Sequence, residues 1–145
     1  LATPRFAFKL AFLDRLHAHA KTLLGHEEAF VLGGDLNVAP ETADVYDPQD
    51  LDGGLCFHPE ERARFRKLLW LGLTDGFRAL HPEPARYSYW DYKAGAWQKD
   101  NGLLIDHLLL SPQAADLLTA AGIDRKPRGK EKPSDHTPVW CELLV

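Results

Sequence analysis

Ala29-Phe30-Val31-Leu32-Gly33-Gly34-Asp35-Leu36-Asn37 is a continuous apolar run closed by two glycines, after which two polar side chains follow. A short apolar run bounded by turn residues predicts a strand buried on both faces, one that delivers Asp35 and Asn37 at its C-terminal end. Upstream, Phe6, Leu10, Leu13, His17, Ala20 and Leu24 recur at helical spacing. Lys9, Asp14, Arg15 and Lys21 take the other faces, and Gly25 supplies a stop. This pattern predicts an amphipathic helix over residues 5–24. A helix running into a buried strand is the unit of an α/β fold.

Working toward the C-terminus, residues 39–57 have neither helical nor strand period, and a loop that long in a compact domain implies a functional border. Pro59 opens a second helix, with Glu60 and Glu61 in its first turn and Phe65, Leu68 and Leu69 on its buried face. The aromatic stretch at residues 87–92 and the apolar one at 103–110 predict the two arms of a hairpin. Ser111 and Pro112 read as the cap and first residue of a helix through Ala121, and residues 137–143 as a final strand. The expected architecture is one α/β domain over residues 1–145, a mixed and mainly antiparallel sheet with helices on one face.

The 145 residues carry 17 Lys and Arg against 21 Asp and Glu, a net charge of −4, which excludes a polyanion binder working by its overall field. The densest basic stretch, Arg125, Lys126, Arg128, Lys130 and Lys132, reads either as a solvated loop or as a local phosphate contact. No apolar run approaches the ~20 residues of a membrane span, and no signal-peptide pattern opens the sequence, so a soluble, cytoplasmic protein without a membrane partner is expected. Cys56 and Cys141 form no CxxC pair and are expected to be reduced packing thiols. The sequence contains no methionine and enters helical sequence directly from Leu1, which reads as a fragment of a longer protein.

Three polar constellations stand at the ends of apolar stretches: Gly34-Asp35-Leu36-Asn37, Ile105-Asp106-His107 and Ser134-Asp135-His136. Asp35 and Asn37 are two apart, so in extended backbone they converge on one side; the competing reading is an Asx turn closing the strand. Asp106 lies among Leu103, Leu104, Ile105, Leu108, Leu109 and Leu110, where an ionised carboxylate needs a partner. Histidine suits, because a carboxylate on one ring nitrogen sets the tautomer and leaves the other nitrogen for substrate. Consecutive strand residues face opposite ways, which disfavours His107 and points to His136. Asp135 and His136 together offer one group for a metal or its water and one for an anionic substrate. Carboxylates, an amide and an imidazole, without a nucleophilic Ser or Cys in a recognisable setting, predict hydrolysis of a phosphate ester by activated water. Mg²⁺ is the expected cation, with Mn²⁺ as the substitute.

At these residues the sequence resembles the exodeoxyribonuclease III family of the endonuclease/exonuclease/phosphatase superfamily. The match includes Gly34 to Val38, Phe57 to Leu69, Thr74 to Arg78, Tyr87 to Tyr92, Gly102 to Asp106 and Ser134 to Trp140. The resemblance implies the C-terminal half of a four-layer α/β-sandwich that cuts duplex DNA at abasic sites and trims 3′ ends, including 3′-phosphate removal. It implies that Asp35 orients and deprotonates water, Asn37 positions the scissile phosphate, Asp106 pairs with His136, and His136 contacts the phosphate. Asp35, Asn37 and Asp135 make up the implied metal side. Tyr89, Leu103 and Ile105 match the wall of a pocket for a flipped-out abasic sugar, and Trp90 is counted with them. On the residues alone, Tyr89 and Trp90 read as strand aromatics packing a core. A principal metal-binding Glu, an early Asn and a phosphate-contacting Tyr belong to a first half that this sequence lacks. The isolated chain is therefore expected to show little activity and to self-associate or bind that missing N-terminal half. The competing functions are another phosphodiesterase or phosphatase of the superfamily, and a nucleic-acid-binding relative without chemistry.

Overall fold

A computed structural model describes residues 3–145. Leu1 and Ala2, on which the fragment reading rests in part, lie outside the described residues.

The first helix, α1 (Pro4–Leu24), starts where the Thr3 hydroxyl accepts the amide N–H of Phe6 and Pro4 takes the first helical position. It buries Leu13 and Ala20. Leu16 packs against the same core where the sequence pattern pointed to His17. Strand β1 (Val31–Asp35) pairs antiparallel with β3 (Asp106–Leu110), and β2 (Thr74–Asp75) pairs with the other edge of β3. Helix α3 (Pro59–Trp70) crosses over α1, and Phe65 and Leu68 join Leu13, Ala20, Leu73 and Leu109 in the main core. The two long helices thus cover one face of the three-stranded sheet. A separate two-stranded sheet consists of β4 (Leu118–Ile123) and β5 (Val139–Leu143). Every pairing between described strands is antiparallel, in keeping with the mainly antiparallel sheet expected.

Four sequence expectations change. Strand β1 starts at Val31, two residues after the apolar run begins, and is not buried on both faces: Val31, Gly33, Gly34 and Asp35 are exposed, because β3 is its sole described neighbour. Residues 39–57 are no open loop. They contain a 3₁₀ turn at Thr42–Asp44 and the short helix α2 (Pro48–Leu51), and they bury Ala39, Val45, Cys56 and Phe57 against Ile105.

The expected helix through Ala121 stops early, as α6 (Pro112–Ala115), and Leu118–Ile123 is strand β4. The Ala-rich sequence favours helix locally, but pairing with β5 overrides that small preference. Gly122 makes the pairing fit, since a Cβ there would stand 2.7 Å from the Trp140 ring. The hairpin arm at residues 87–92 is likewise no regular strand. Tyr89 makes single bridges to Leu103 and to His136, so its backbone is shared between two segments and neither extends into a ladder. The short helices α4 (Gly76–Leu80) and α5 (Ala96–Lys99) complete the fold, α5 occupying the connection between the two expected arms.

Among the described residues, no helix is long and apolar enough to cross a membrane. Cys56 and Cys141 are both free thiols, as expected.

Candidate active site

Antiparallel register sets Asp35, the last residue of β1, directly opposite Asp106, the first residue of β3. His136 reaches the same point from the segment before β5. Its Nδ1 donates to Asp106 Oδ2 at 2.7 Å, and its Nε2 lies 3.6 Å from Asp35 Oδ2. His107 faces the other way and bonds the Val38 carbonyl, so Asp106 pairs with the distant histidine. Donor atoms from Asp35, Asp106 and His136 all fall within 4.8 Å of one another.

Asp106 is aimed by a residue that the sequence reading passed over. Ser88, fully buried, accepts the amide N–H groups of Ile105 and Asp106 on its hydroxyl at 3.1 and 3.2 Å. The legible signal was a lone hydroxyl between aromatics in Tyr87-Ser88-Tyr89. The Tyr89 ring packs edge-on to the His136 imidazole, with centroids 5.2 Å apart. His136 titrates above the ordinary histidine range. Burial, the largest single influence, opposes protonation, but the bond to Asp106 and the charges of Asp106, Asp35 and Asp135 outweigh it.

Asp35 and Asn37 do not share an extended strand. The strand ends at Asp35, and Asn37 adopts φ +53° and donates its amide to Asp35 Oδ1 at 2.9 Å. The Asx turn therefore exists, and it leaves Asp35 Oδ2 free toward His136. Asn37 lines a cavity of about 430 Å³ with Arg5, Phe6 and Lys9. Asp135 stands outside the three-residue cluster, and its carbonyl accepts the Trp90 amide.

The four residues implied as a sugar pocket divide. Tyr89 and Leu103 are half-buried and line a cavity of about 270 Å³ with Tyr46 and Leu51. Ile105 is buried in the core beside Phe57. Trp90 is completely buried, edge-on to Tyr87 and Trp97, with its indole N–H on Asp100. Ile105 packs behind Tyr89 and Leu103, whereas Trp90 belongs to a separate aromatic cluster, and neither lines the cavity. The basic stretch divides as well. Arg128 is buried against Tyr92 and Trp97 and donates to the Trp90 carbonyl, and Arg125 lies over the Trp97 ring, whereas Lys126, Lys130 and Lys132 are exposed.

Two carboxylates and one imidazole form a donor set that fits a hard divalent cation holding several of its own waters. Three carboxylates around His136 would repel a phosphate, so an anionic substrate needs a cation here.

A profile of the Endonuclease/Exonuclease/phosphatase family matches residues 1–136. The chain belongs to that family. Among its relatives, exodeoxyribonuclease III of Haemophilus influenzae is 34% identical over 96% of this chain and 55% of that protein. A solved 3′ phosphatase NExo from Neisseria, bound to a product DNA hairpin, is 38% identical. It superposes with a TM-score of 0.97 over 100% of this chain and 56% of that one. An AP endonuclease from Archaeoglobus fulgidus is 35% identical, with a TM-score of 0.94 over 100% of this chain and 57% of that one. This member of the endonuclease/exonuclease/phosphatase family thus spans about half the length of the relatives it matches.

Proposed function

We propose that this chain supplies the Asp35–Asp106–His136 part of the active site of a DNA-repair nuclease of the exodeoxyribonuclease III type. Such an enzyme hydrolyses phosphodiesters of duplex DNA at abasic sites and from 3′ ends, and removes 3′ phosphates. The observation that carries the reading is the Asp106–His136 bond with Asp35 facing the free ring nitrogen. Asp106 holds the proton of His136 on Nδ1, and the raised pKa of His136 favours a second proton on Nε2. That N–H can donate to a nonbridging phosphate oxygen as charge builds on it. Asp35 keeps Oδ2 free to take a proton from the attacking water, because Oδ1 is occupied by the Asn37 amide.

Mg²⁺, held on the Asp35 and Asn37 side and replaceable by Mn²⁺, would supply neutralisation of phosphate charge. Asp135 stands apart from this cluster and suits a second, weaker site. Tyr89 and Leu103 form the open wall against which an unpaired sugar can lie, and this favours abasic DNA over other phosphodiesters. The rest of the site belongs to the span that the relatives have and this chain does not, which we assign to an N-terminal half.

The test is cleavage of a duplex carrying one abasic site, against the intact duplex, by a protein joining this chain to that half. Asp35→Asn is expected to lose cleavage on the order of a thousandfold or more while still binding the abasic duplex. Full cleavage by Asp35→Asn, or equal cleavage of both duplexes, overturns the proposal.

A further inference from the structure

Three groups outside this constellation, the half-buried Lys9 and the buried Glu61 and His107, converge on the turn that carries Asn37. The Lys9 ammonium donates to the Asn37 carbonyl at 2.5 Å and pairs with the carboxylate of Glu61, whose side chain is 0% exposed. The other Glu61 oxygen accepts the His58 amide at the start of α3, so the carboxylate is itself fixed. One residue on, the Val38 carbonyl accepts a hydrogen bond from His107 Nε2 at 2.7 Å. This requires the proton on Nε2. The His107 ring is held in place against Phe65, with centroids 4.6 Å apart.

Asn37 gains from such support. Its φ of +53° lies in the left-handed region, which asparagine enters more readily than other non-glycine residues and which fixed surroundings hold as its single conformation. We infer that Lys9 and His107 are positioning residues: they clamp the consecutive carbonyls of Asn37 and Val38 and hold the left-handed turn that sets Asn37 beside Asp35.

The arrangement explains why Asp106 and His107 are adjacent. Strand β3 sends Asp106 to the chemical side and His107 to the clamp on the opposite side, so one strand fixes both His136 and the Asn37 turn. It also explains an ion pair whose carboxylate is fully buried and costly to desolvate. A lysine reaching from α1 to a loop carbonyl needs its charge balanced at that point, and Glu61 balances it while capping α3. The remaining backbone bonds of the turn, Leu36 N–H to the Ile105 carbonyl and Ala39 N–H to the Cys56 carbonyl, anchor its two ends but leave the Asn37 and Val38 carbonyls to the clamp.

The consequence for catalysis rests on the proposed nuclease reading, whereas the consequence for the turn does not. On this chain, amide exchange at Ala39 and the Asn37 HN–Hα coupling report the turn directly. In Lys9→Met and in His107→Phe, Ala39 exchange is expected to accelerate about tenfold and the coupling to leave its left-handed value, with the Leu109 amide unchanged. The double variant Lys9→Met/Glu61→Gln removes both charges and keeps the test open where Lys9→Met alone leaves an uncompensated carboxylate and does not fold. In the joined protein, kcat on abasic duplex is expected to fall about tenfold or more with KM little changed, and Lys9→Arg to restore part of it. An unchanged turn in folded variants, or a KM loss without a kcat loss, overturns the inference. A wild-type joined protein that cuts no DNA removes the nuclease reading, and the exchange and coupling data then judge the clamp alone.

Discussion

The Asp106–His136 pair was legible at the level of single residues because a carboxylate among leucines must find a partner, and strand alternation excluded the adjacent histidine. Its dependence on Ser88 was not, since nothing local distinguishes a hydroxyl that bonds residues 17 and 18 positions away. Ser88→Ala leaves the buried N–H of Ile105 and the part-buried N–H of Asp106 without their acceptor and is expected to cost about 1–3 kcal/mol, read as a lowered denaturant midpoint. Asp106→Asn removes the bond that offsets burial at His136, so the His136 pKa, followed by NMR in metal-free buffer, is expected to fall. The sign for stability follows. With a raised folded-state pKa, the contribution of His136 is fully present below the ordinary histidine pKa and is lost as pH rises through the raised one. Asp106→Asn is expected to flatten that dependence; an unchanged pKa would show that Asp106 is not the group holding it up.

Among the elements, the extents of α1 and α3 were legible, because their apolar stripes, prolines and caps agree, although Leu16 in place of His17 and the buried Glu61 were not. Strand β4 was not, because Ala and Leu at residues 117–121 favour helix until β5 is available to pair. Gly122→Val places carbon within 3 Å of the Trp140 ring and is expected to destabilise the chain by about 1–3 kcal/mol, measurable by thermal unfolding. In the packed segment before α3, burial pushes the Cys56 thiol up to about 11. Its thiolate is disfavoured in the folded state, so stability holds below pH 9.0 and declines as pH rises from there through about 11. Thiol labelling at pH 8 is expected to modify the half-exposed Cys141 first and Cys56 only on unfolding. Equal rates would mean that the segment around Cys56 opens readily.

For the molecule as a whole, β1 is the edge of its sheet among the described residues and carries Val31 at 42% exposure. Trp140 and Leu144 are exposed near the second sheet. An uncovered strand edge with apolar side chains invites pairing with another chain. The 145-residue chain alone is expected to self-associate in sedimentation velocity, and Val31→Lys to shift it toward monomer. Addition of the N-terminal half proposed above should compete with self-association and restore cleavage together; a chain monomeric at all concentrations would argue against this reading of the edge.

The sequence alone determined the residue types of the site and the order of the long helices and central strands. These follow from local rules: apolar periodicity, caps and prolines, and polar residues at the ends of apolar runs. Tertiary structure alone decided that Asp35 faces Asp106 across β1 and β3, that Trp90 and Ile105 turn inward while Tyr89 and Leu103 stay open, and that Lys9 and His107 grip the Asn37 turn. Each of these depends on contacts spanning from 14 to 71 positions of chain. Register, burial and long-range hydrogen bonds come into being only when distant segments meet, and no local pattern encodes them.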